Sequence, residues 1–368
     1  MSLLLKVGNI GKIELKNRVI MPPMCMYKSD NSGEIKDFHK YHYVSRALGG
    51  VGFIIVEATA IEPKGRISSN DLGLWDDSLI EKHKQLNKDI HSFGAKTAIQ
   101  IAHAGRKSTV IDSTPIAPSS IAFSKEAPFR IPKEVSIEEI KNIKELFINA
   151  AFRAKEADYD AIELHAAHGY LLCEFLSPIS NNRTDIYGGT LENRCRLVLE
   201  IANEIKQKVD LPLIVRISAD EWMKNGWNIE DSIYLSKELE KLGVDAIHVS
   251  SGGNIENPDD TPKIKPLYQA YWAKKIKENI NIPVIAVGLI TTPKEGEYLL
   301  ENKFCDFVAY GRELLRNSNF VFNAANEFEE KEKIKKLAKQ KHKYRIGIID
   351  TLRRIDFTYY KNEFPKHF

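Results

Sequence analysis

The chain has 368 residues, of which 43% are hydrophobic and 28% charged, and its formal net charge is +3 at pH 7. A chain of this length and composition can bury a large core, either as one large α/β domain or as two ordinary ones. The small net charge argues against a general nucleic-acid-binding field and favours small molecules as partners.

No apolar run approaches the roughly 20 residues that a bilayer-spanning helix needs, and the N-terminal apolar stretch is too short for a secretory signal. We therefore expect a soluble, cytoplasmic protein without membrane contact. The cysteines are scattered and include no C-x-x-C pair: Cys25, Cys173, Cys195 and Cys305. This spacing indicates neither a zinc or iron–sulfur site nor a disulfide framework, so we expect reduced thiols and no metal.

Apolar, β-branched runs recur along the chain. In order they are RVIMPPMCM, GFIIVEATAI, KTAIQIAHA, DAIELHAAH, LPLIVRISA, DAIHVSS, IPVIAVGLI and DFVAYGREL. Segments with the apolar spacing of amphipathic helices, such as SIEEIKNIKELFINAAFRAKEA, separate most of these runs. Alternation of strand and helix on this pattern predicts a single α/β domain over residues 1–325, a (β/α)8 TIM barrel, rather than two domains.

Side chains within the predicted strands alternate between an apolar and a polar face. In the fourth strand Ile162 and Leu164 share one face, whereas Glu163 and His165 share the other. The third, fifth and sixth strands show the same alternation, with Gln100 and Arg216 among the polar positions. In a barrel such positions converge at the C-terminal mouth, where the active sites of this fold lie.

Two stretches fall outside the repeat. Residues 105–135 hold four prolines and little periodicity, which predicts a long excursion after the third strand that covers the mouth as a lid or wall. Residues 326–368 form an acidic, then basic, then aromatic tail. We expect this helical tail to pack on the barrel or on a partner subunit, with nucleic-acid binding by its lysines as the less common alternative.

His165 and His168 end the fourth strand and are followed by Tyr170. An H-x-x-H pair can bind zinc on one helical face, but here the first histidine ends a strand and no third ligand is suitably spaced. Two imidazoles that project into a mouth can instead donate hydrogen bonds to one substrate oxygen and polarise a carbonyl. Tyr170 is then placed to supply or accept a proton.

Glycines and arginines follow the last two strands. Gly288 ends the seventh run, and Gly311 with Arg312 ends the eighth, where barrels commonly bind phosphate. The plain alternative is that these glycines only allow strands to turn into loops. Arg216 faces the barrel axis, where an unpaired guanidinium needs an anion or an electron-rich cofactor edge, and Gln100 is suited to contact the amide edge of a ring.

The first strand reaches the mouth at a segment that contains Pro23, Met24, Cys25 and Tyr27. Cysteine often packs as a small hydrophobic residue, and an ordinary buried thiol is the alternative to a functional role for Cys25.

These motifs resemble the Old Yellow Enzyme family of FMN-dependent ene-reductases. The resemblance rests on ELHAAHGYLLCEFLSPISNNRTDIYGGTLENRCR, together with NRVIMPPMCMY, QIAHAGRK, VRIS, SSGG, AVGLI and YGRELLRN in the order typical of the family. The pairing of Cys25 with Tyr27 is similar to the bacterial, thermophilic-like branch. The resemblance covers residues 1 to about 325 and implies a barrel with non-covalent FMN, NADPH or NADH as hydride donor, and an activated alkene as hydride acceptor.

The resemblance also implies roles for individual residues. His165 and His168 would hold the carbonyl or nitro oxygen of the substrate, Tyr170 would donate the proton, and Tyr27 would add a hydrogen bond to the substrate. The positions that it assigns to the cofactor are Pro23, Met24, Cys25, Ala58, Gln100, Arg216, Gly288, Gly311 and Arg312. Lys107 matches a lysine of the family near flavin and substrate.

The tail departs from the family pattern. Members of this branch usually end soon after the eighth strand with an aromatic-Arg motif whose arginine reaches a neighbouring subunit, and Arg353 or Arg354 is a possible substitute here. We expect a homo-oligomer, a dimer or a tetramer. The competing hypotheses are another FMN barrel, a flavin-free phosphate-binding lyase and a non-catalytic barrel scaffold, whereas a Schiff-base aldolase is disfavoured because no strand end presents a lysine.

Overall fold

The computed structural model describes residues 2–328. Its centre is a closed barrel of parallel strands, because β1 pairs with both β2 and β8. The strands are β1 (Val19–Met21), β2 (Phe53–Ala60), β3 (Lys96–Ala102), β4 (Ala161–Ala166), β5 (Leu213–Ser218), β6 (Ala246–Ser250), β7 (Val284–Ala286) and β8 (Phe307–Ala309). All eight predicted runs contribute one barrel strand each, and the (β/α)8 prediction is confirmed.

Helices surround the barrel. Those of the described residues are α1 (Asp37–Leu48), α2 (Ile80–His91), α3 (Ile137–Glu156), α4 (Leu171–Leu176), α5 (Leu191–Lys208), α6 (Ile229–Lys241), α7 (Ala270–Lys277), α8 (Pro293–Glu301), α9 (Arg312–Arg316) and α10 (Phe320–Glu327). Helix α10 extends across residue 325, the position at which the sequence analysis placed the boundary between barrel and tail. The rest of the tail, with Arg353 and Arg354, lies outside the described residues. No helix within residues 2–328 is long and apolar enough to cross a membrane.

The strand alternation produces two apolar layers. Ile162 and Leu164 of β4 belong to the large layer between strands and helices, whereas Ala161 belongs to a smaller cluster inside the barrel. Strands β3, β5 and β6 divide their apolar residues between the same two layers. The inward-facing positions beyond this interior cluster are polar, and they lie toward the carboxyl ends of the strands, as the alternation predicts.

An N-terminal hairpin fills the other end of the barrel. Its antiparallel strands, Gly8–Ile10 and Ile13–Leu15, contribute buried residues to the interior cluster. They pack there with Phe53 and Phe307, the first residues of β2 and β8. Because apolar side chains occupy the amino end, the polar carboxyl end is the end available for a ligand. The sequence analysis did not predict this hairpin.

Strand β2 carries an irregularity near the mouth. Val56 pairs with Ile99 and Thr59 with Ile101, so β2 has one residue more than β3 over this interval. Such an extra residue forms a β-bulge, which interrupts the ladder and redirects the neighbouring side chains. The two residues in the bulge are Glu57 and Ala58.

The excursion predicted for residues 105–135 begins in a short turn of 3₁₀ helix, Gly105–Lys107. It then forms a two-stranded pairing of Ile116–Ala117 with Lys133–Glu134. The buried guanidinium of Arg183 donates to the carbonyls of Pro118 and Val135, one beside each of these strands. The segment after α4 therefore anchors both limbs of the excursion.

Candidate active site

The structure brings the predicted histidines and tyrosine together at the carboxyl end of β4. The rings of His165 and His168 are nearly perpendicular, with centroids 5.3 Å apart. The ring of Tyr170 lies edge-on to His165 at 4.9 Å. His165 lies within the strand, whereas His168 and Tyr170 lie in the turn that leads into α4.

This turn places His168 in an unusual backbone conformation. Its φ is 60°, in the left-handed region that residues other than glycine rarely adopt, and Gly169 follows with φ 71°. Two neighbours hold the turn: the His168 amide donates to Ser218 Oγ at 2.9 Å, and Lys107 Nζ donates to the His168 carbonyl at 3.0 Å. A conformation of this kind persists only where its surroundings enforce it.

Each histidine is held through one ring nitrogen. Nδ1 of His165 accepts the Ala167 amide, and Nε2 of His168 lies 2.7 Å from Ser250 Oγ. The remaining nitrogens, Nε2 of His165 and Nδ1 of His168, have no hydrogen-bond partner among residues 2–328. Both rings are therefore oriented by the protein and keep one nitrogen for a ligand.

Burial controls the protonation of this group. It lowers the pKa of His165 and His168 well below the usual range, with the positive charge of Arg216 acting in the same direction. It raises the pKa of Tyr170 well above its usual value. At neutral pH the site therefore presents two neutral imidazoles and a protonated phenol, groups that can each donate one hydrogen bond without carrying net charge.

Arg216 of β5 is buried in the barrel mouth. Its Nε has no hydrogen-bond partner within the described part of the chain. Burial lowers the pKa of the guanidinium, whereas the charge of Glu163 raises it. A buried cation without a direct partner is costly, so this side chain fits a ligand that brings an anionic or electron-rich edge.

Gln100, Glu163 and His248 form a buried hydrogen-bonded row across three strands. Gln100 Nε2 donates to Glu163 Oε1 at 2.8 Å, and His248 Nδ1 lies 2.6 Å from Glu163 Oε2. The hydrogen bond to Glu163 fixes the orientation of the Gln100 amide inside the barrel. The sequence analysis placed Glu163 on the inward face but gave it no role, because its pairing with His248 depends on how β4, β5 and β6 are aligned.

The segment after β1 reaches the same mouth. Pro23 is buried, Met24 and Cys25 are half-buried, and Tyr27 is exposed. The Cys25 thiol accepts a hydrogen bond from the backbone of Ala58 and shares one with the Tyr27 hydroxyl. Burial raises the pKa of Cys25 and raises that of Tyr27 to about 12, so both groups are protonated at neutral pH.

The glycines predicted for phosphate binding lie in the loops after β7 and β8. Gly288 has φ +120°, and a Cβ there would lie 2.6 Å from the Gln269 side chain. Gly311 precedes the first residue of α9, and a Cβ at this position would meet no atom nearer than Met24 Sδ at 3.5 Å. Arg312 is exposed at the start of α9. These residues fit an anionic group beside the Met24 segment.

Lys107 does not point freely into the mouth. Its Nζ donates to the carbonyls of His168 and Gly253, both at 3.0 Å, and lies 5.2 Å from the centroid of the Tyr170 ring. Burial lowers its pKa to about 8. Lys107 therefore links the loops that follow β3, β4 and β6. Within residues 2–328 no group of three or more His, Cys, Asp or Glu residues is arranged to hold a metal ion.

The barrel and its polar mouth define an oxidoreductase of the flavin-binding barrel class. The chain belongs to the NADH:flavin oxidoreductase / NADH oxidase family, whose model matches residues 5–331. FMN is the cofactor of this family, with a reduced nicotinamide as its electron donor. The resemblance to Old Yellow Enzyme homologues is thereby confirmed.

Individual relatives agree with this assignment. The chain is 47% identical over 316 residues to an NADPH dehydrogenase of Bacillus pumilus, which covers 86% of this chain and 92% of the relative. Morphinone reductase in complex with tetrahydroNAD is 27% identical, with a TM-score of 0.76 over 88% of this chain and 90% of that one. A 2-naphthoyl-CoA reductase shares the fold, with a TM-score of 0.81 at 24% identity, and this chain spans 51% of its length.

Proposed function

We propose that the protein is an NAD(P)H-dependent ene-reductase that reduces the activated C=C bond of α,β-unsaturated carbonyl or nitro compounds. Nicotinamide and alkene use one site in turn, in a ping-pong sequence. The observation that carries the proposal is the pair of oriented histidines, each with one ring nitrogen without a protein partner, beside a protonated Tyr170.

The residues of the mouth fit FMN. Arg216, with its unpartnered buried Nε, and the Gln100 amide are suited to the polar edge of the ring. Pro23, Met24, Cys25 and Ala58 would line the ring, and the phosphate end would lie against Gly288, Gly311 and Arg312. FMN held there would supply the hydride for the β-carbon of the alkene.

His165 and His168 activate the alkene. Their free ring nitrogens donate to the carbonyl or nitro oxygen and stabilise the negative charge that develops there as the β-carbon gains hydride. Because both imidazoles are neutral, they donate these hydrogen bonds without giving up a proton. This makes them an oxyanion clamp rather than the proton donor.

Tyr170 is the proton donor in this proposal. Its raised pKa keeps the phenol protonated at neutral pH, and its ring lies 4.9 Å from that of His165. Transfer of the phenolic proton to the α-carbon, together with hydride at the β-carbon, completes the saturated product, and solvent returns a proton to the tyrosine. Tyr27, whose side chain is exposed, would add a hydrogen bond to the substrate.

The deciding experiment is an absorbance spectrum of the purified protein, followed by anaerobic NADPH and then 2-cyclohexenone. We expect a yellow protein that bleaches with NADPH and regains its colour with the enone. A colourless protein that FMN does not reconstitute would overturn the proposal and favour a non-catalytic scaffold. A protein that bleaches but regains colour only with oxygen would favour another FMN-barrel oxidoreductase.

The prediction of a homo-oligomer, dimer or tetramer, and that of a cytoplasmic location remain sequence-based. Size-exclusion chromatography with light scattering tests the first of them.

A further inference from the structure

A buried carboxylate lies directly beneath the segment that carries Cys25 and Tyr27. Glu57, in the bulge of β2, is 1% exposed. Its Oε2 accepts the amide of Met26 at 2.7 Å, and its Oε1 accepts the hydroxyl of Tyr43 at 3.1 Å. The same Tyr43 hydroxyl accepts the Glu57 amide at 3.0 Å. The carboxylate thus connects helix α1, strand β2 and the loop after β1.

Burial disfavours the ionised form of Glu57, and the hydrogen-bond donors around the carboxylate oppose that effect. Nδ1 of His39 accepts the Lys36 amide at 3.0 Å, so Nε2 carries the ring proton. That nitrogen lies 3.6 Å from Glu57 Oε1 and has no hydrogen-bond partner within the described residues. Burial lowers the pKa of His39 to about 4, so the ring is neutral. Three N–H or O–H groups therefore face one carboxylate, two of them within hydrogen-bond distance, and each favours the charged over the neutral form.

The bulge holds the Cys25–Tyr27 segment at two adjacent points. The Glu57 carboxylate binds the amide between Cys25 and Tyr27, and the backbone of Ala58 binds the Cys25 thiol. Tyr27 has φ 53°, a left-handed conformation that a tyrosine rarely adopts without support. The position of this segment therefore depends on contacts made by the two bulge residues of β2, Glu57 and Ala58.

We propose that Glu57 is a positioning residue, which fixes Cys25 and Tyr27 at the mouth through its hydrogen bond to the Met26 amide. The proposal deepens the proposed function, because it concerns two residues that would contact cofactor and substrate. Glu57 would act on cofactor and substrate only through the segment that carries Cys25 and Tyr27.

Burial raises the pKa of Glu57 to about 7, with the charge of Asp71 in the same direction and the hydrogen bonds from Met26 and Tyr43 opposing it. The titratable groups that face it are His39 and Tyr43 of α1, Cys25 and Tyr27 of the segment, and Asp71 and Tyr159. Ionisation strengthens the acceptor for the Met26 amide. The segment is therefore held more tightly as the pH rises through about 7.

Thiol labelling tests the proposal without relying on catalysis. Cys25 is half-buried, whereas Cys173, Cys195 and Cys305 are buried, so iodoacetamide followed by mass spectrometry reports on Cys25 in the folded protein as purified. Glu57→Gln removes the charge and replaces one carboxylate oxygen by an NH2 group. Either the Met26 amide or the Tyr43 hydroxyl then loses its acceptor. We expect Cys25 to be labelled about tenfold faster at pH 8 in this variant, the effect of losing a hydrogen bond to a charged group.

The pH profile separates positioning from a general loss of structure. Labelling of a thiol below its pKa rises about tenfold per pH unit. We expect the wild-type profile to rise less steeply between about pH 6 and 8, because Glu57 ionises there, and the Glu57→Gln profile to keep the full slope. The KM for 2-cyclohexenone should rise about three- to tenfold in the variant with kcat within about twofold.

Matched variants complete the test. Glu221→Gln makes the same change at an equally buried carboxylate that contacts Asn254 and Trp227 instead, and it should leave Cys25 labelling unchanged. Should Glu57→Gln fail to fold, Tyr43→Phe removes one donor with little change of volume and should accelerate labelling in the same direction.

Identical labelling rates and parallel pH profiles in wild type and the Glu57 or Tyr43 variant would overturn the proposal. Absence of flavin from the protein would instead overturn the proposed function, since the labelling comparison can be made with wild type and variant both free of FMN.

Discussion

The ammonium group of Lys107 donates to the carbonyl of His168 at 3.0 Å, and so ties the loop after β3 to the turn that presents the second histidine. The same ammonium donates to the Gly253 carbonyl at 3.0 Å. One half-buried cation therefore holds two loops of the mouth against each other. This contact explains how His168 keeps a left-handed backbone conformation, with φ 60°.

Replacement of Lys107 by Met should therefore loosen the mouth and change the pH dependence of stability. The folded-state pKa is about 8 against 10.5 for the free side chain. Between these values the unfolded chain binds the extra proton, so the contribution of Lys107 to the free energy of unfolding rises with pH. Urea denaturation at pH 7.5 and at pH 9.5 measures this effect. Between the two pH values, the free energy of unfolding of the wild type should increase by about 1–2 kcal/mol relative to that of Lys107→Met. Parallel stability curves would contradict this role.

Arg216→Met should weaken FMN binding. The substitution keeps an apolar stem of similar length but removes the guanidinium whose Nε has no partner within residues 2–328. Loss of hydrogen bonds from a charged group corresponds to an increase in Kd of about 10- to 100-fold. Fluorescence titration of the apoprotein with FMN measures this Kd. The control variant is Arg153→Gln, at an arginine that pairs with Asp77. An unchanged Kd would remove Arg216 from the cofactor site.

Exchange of His165 and His168 together for Ala should abolish tight binding of phenols, because a phenolate oxygen mimics the developing enolate. Two lost hydrogen bonds to a charged oxygen predict a Kd at least about 100-fold higher for 4-hydroxybenzaldehyde. Titration of the long-wavelength absorbance of the holoenzyme reports the binding. His91→Gln, at a surface histidine paired with Asp160, should bind as the wild type does. Retained affinity in the double variant would exclude the clamp.

Tyr170→Phe should separate the two half-reactions. Loss of a general acid typically slows proton transfer by about 10²–10⁴-fold, so oxidation by 2-cyclohexenone should slow on that scale while reduction by NADPH changes little. Stopped-flow absorbance under anaerobic conditions measures both rates. Equal slowing of the two half-reactions would argue that Tyr170 only shapes the site. A nitroalkene whose product nitronate takes its proton from water should be reduced at nearly the wild-type rate.

Local periodicity was enough to predict the barrel. The alternation of Glu163 and His165 with Ile162 and Leu164 identified the inward face of β4, and the described residues confirm the two layers. This works because successive side chains of a strand point to opposite faces, which is a property of the chain itself. The histidine pair could be found for the same reason, since both residues and Tyr170 lie within six positions of one strand end.

Other parts of the site depend on contacts between distant segments. Glu163 joins Gln100 to His248 only because the registers of β3, β4, β5 and β6 bring the three side chains together inside the barrel. The role of Lys107 depends on two loops that meet above the strands. The bulge at Glu57 and Ala58 has no local signature, because its extra residue is defined only by the partner strand.

The sequence by itself therefore determined the fold class, the inward face of the third to the sixth strand and the identity of the polar groups at their ends. Tertiary structure alone decided which of those groups are paired and which, such as the Arg216 Nε, are left for a ligand. The physical reason is that periodicity and burial preference are local properties of the chain, whereas a hydrogen-bond partner is set by the register and closure of the barrel.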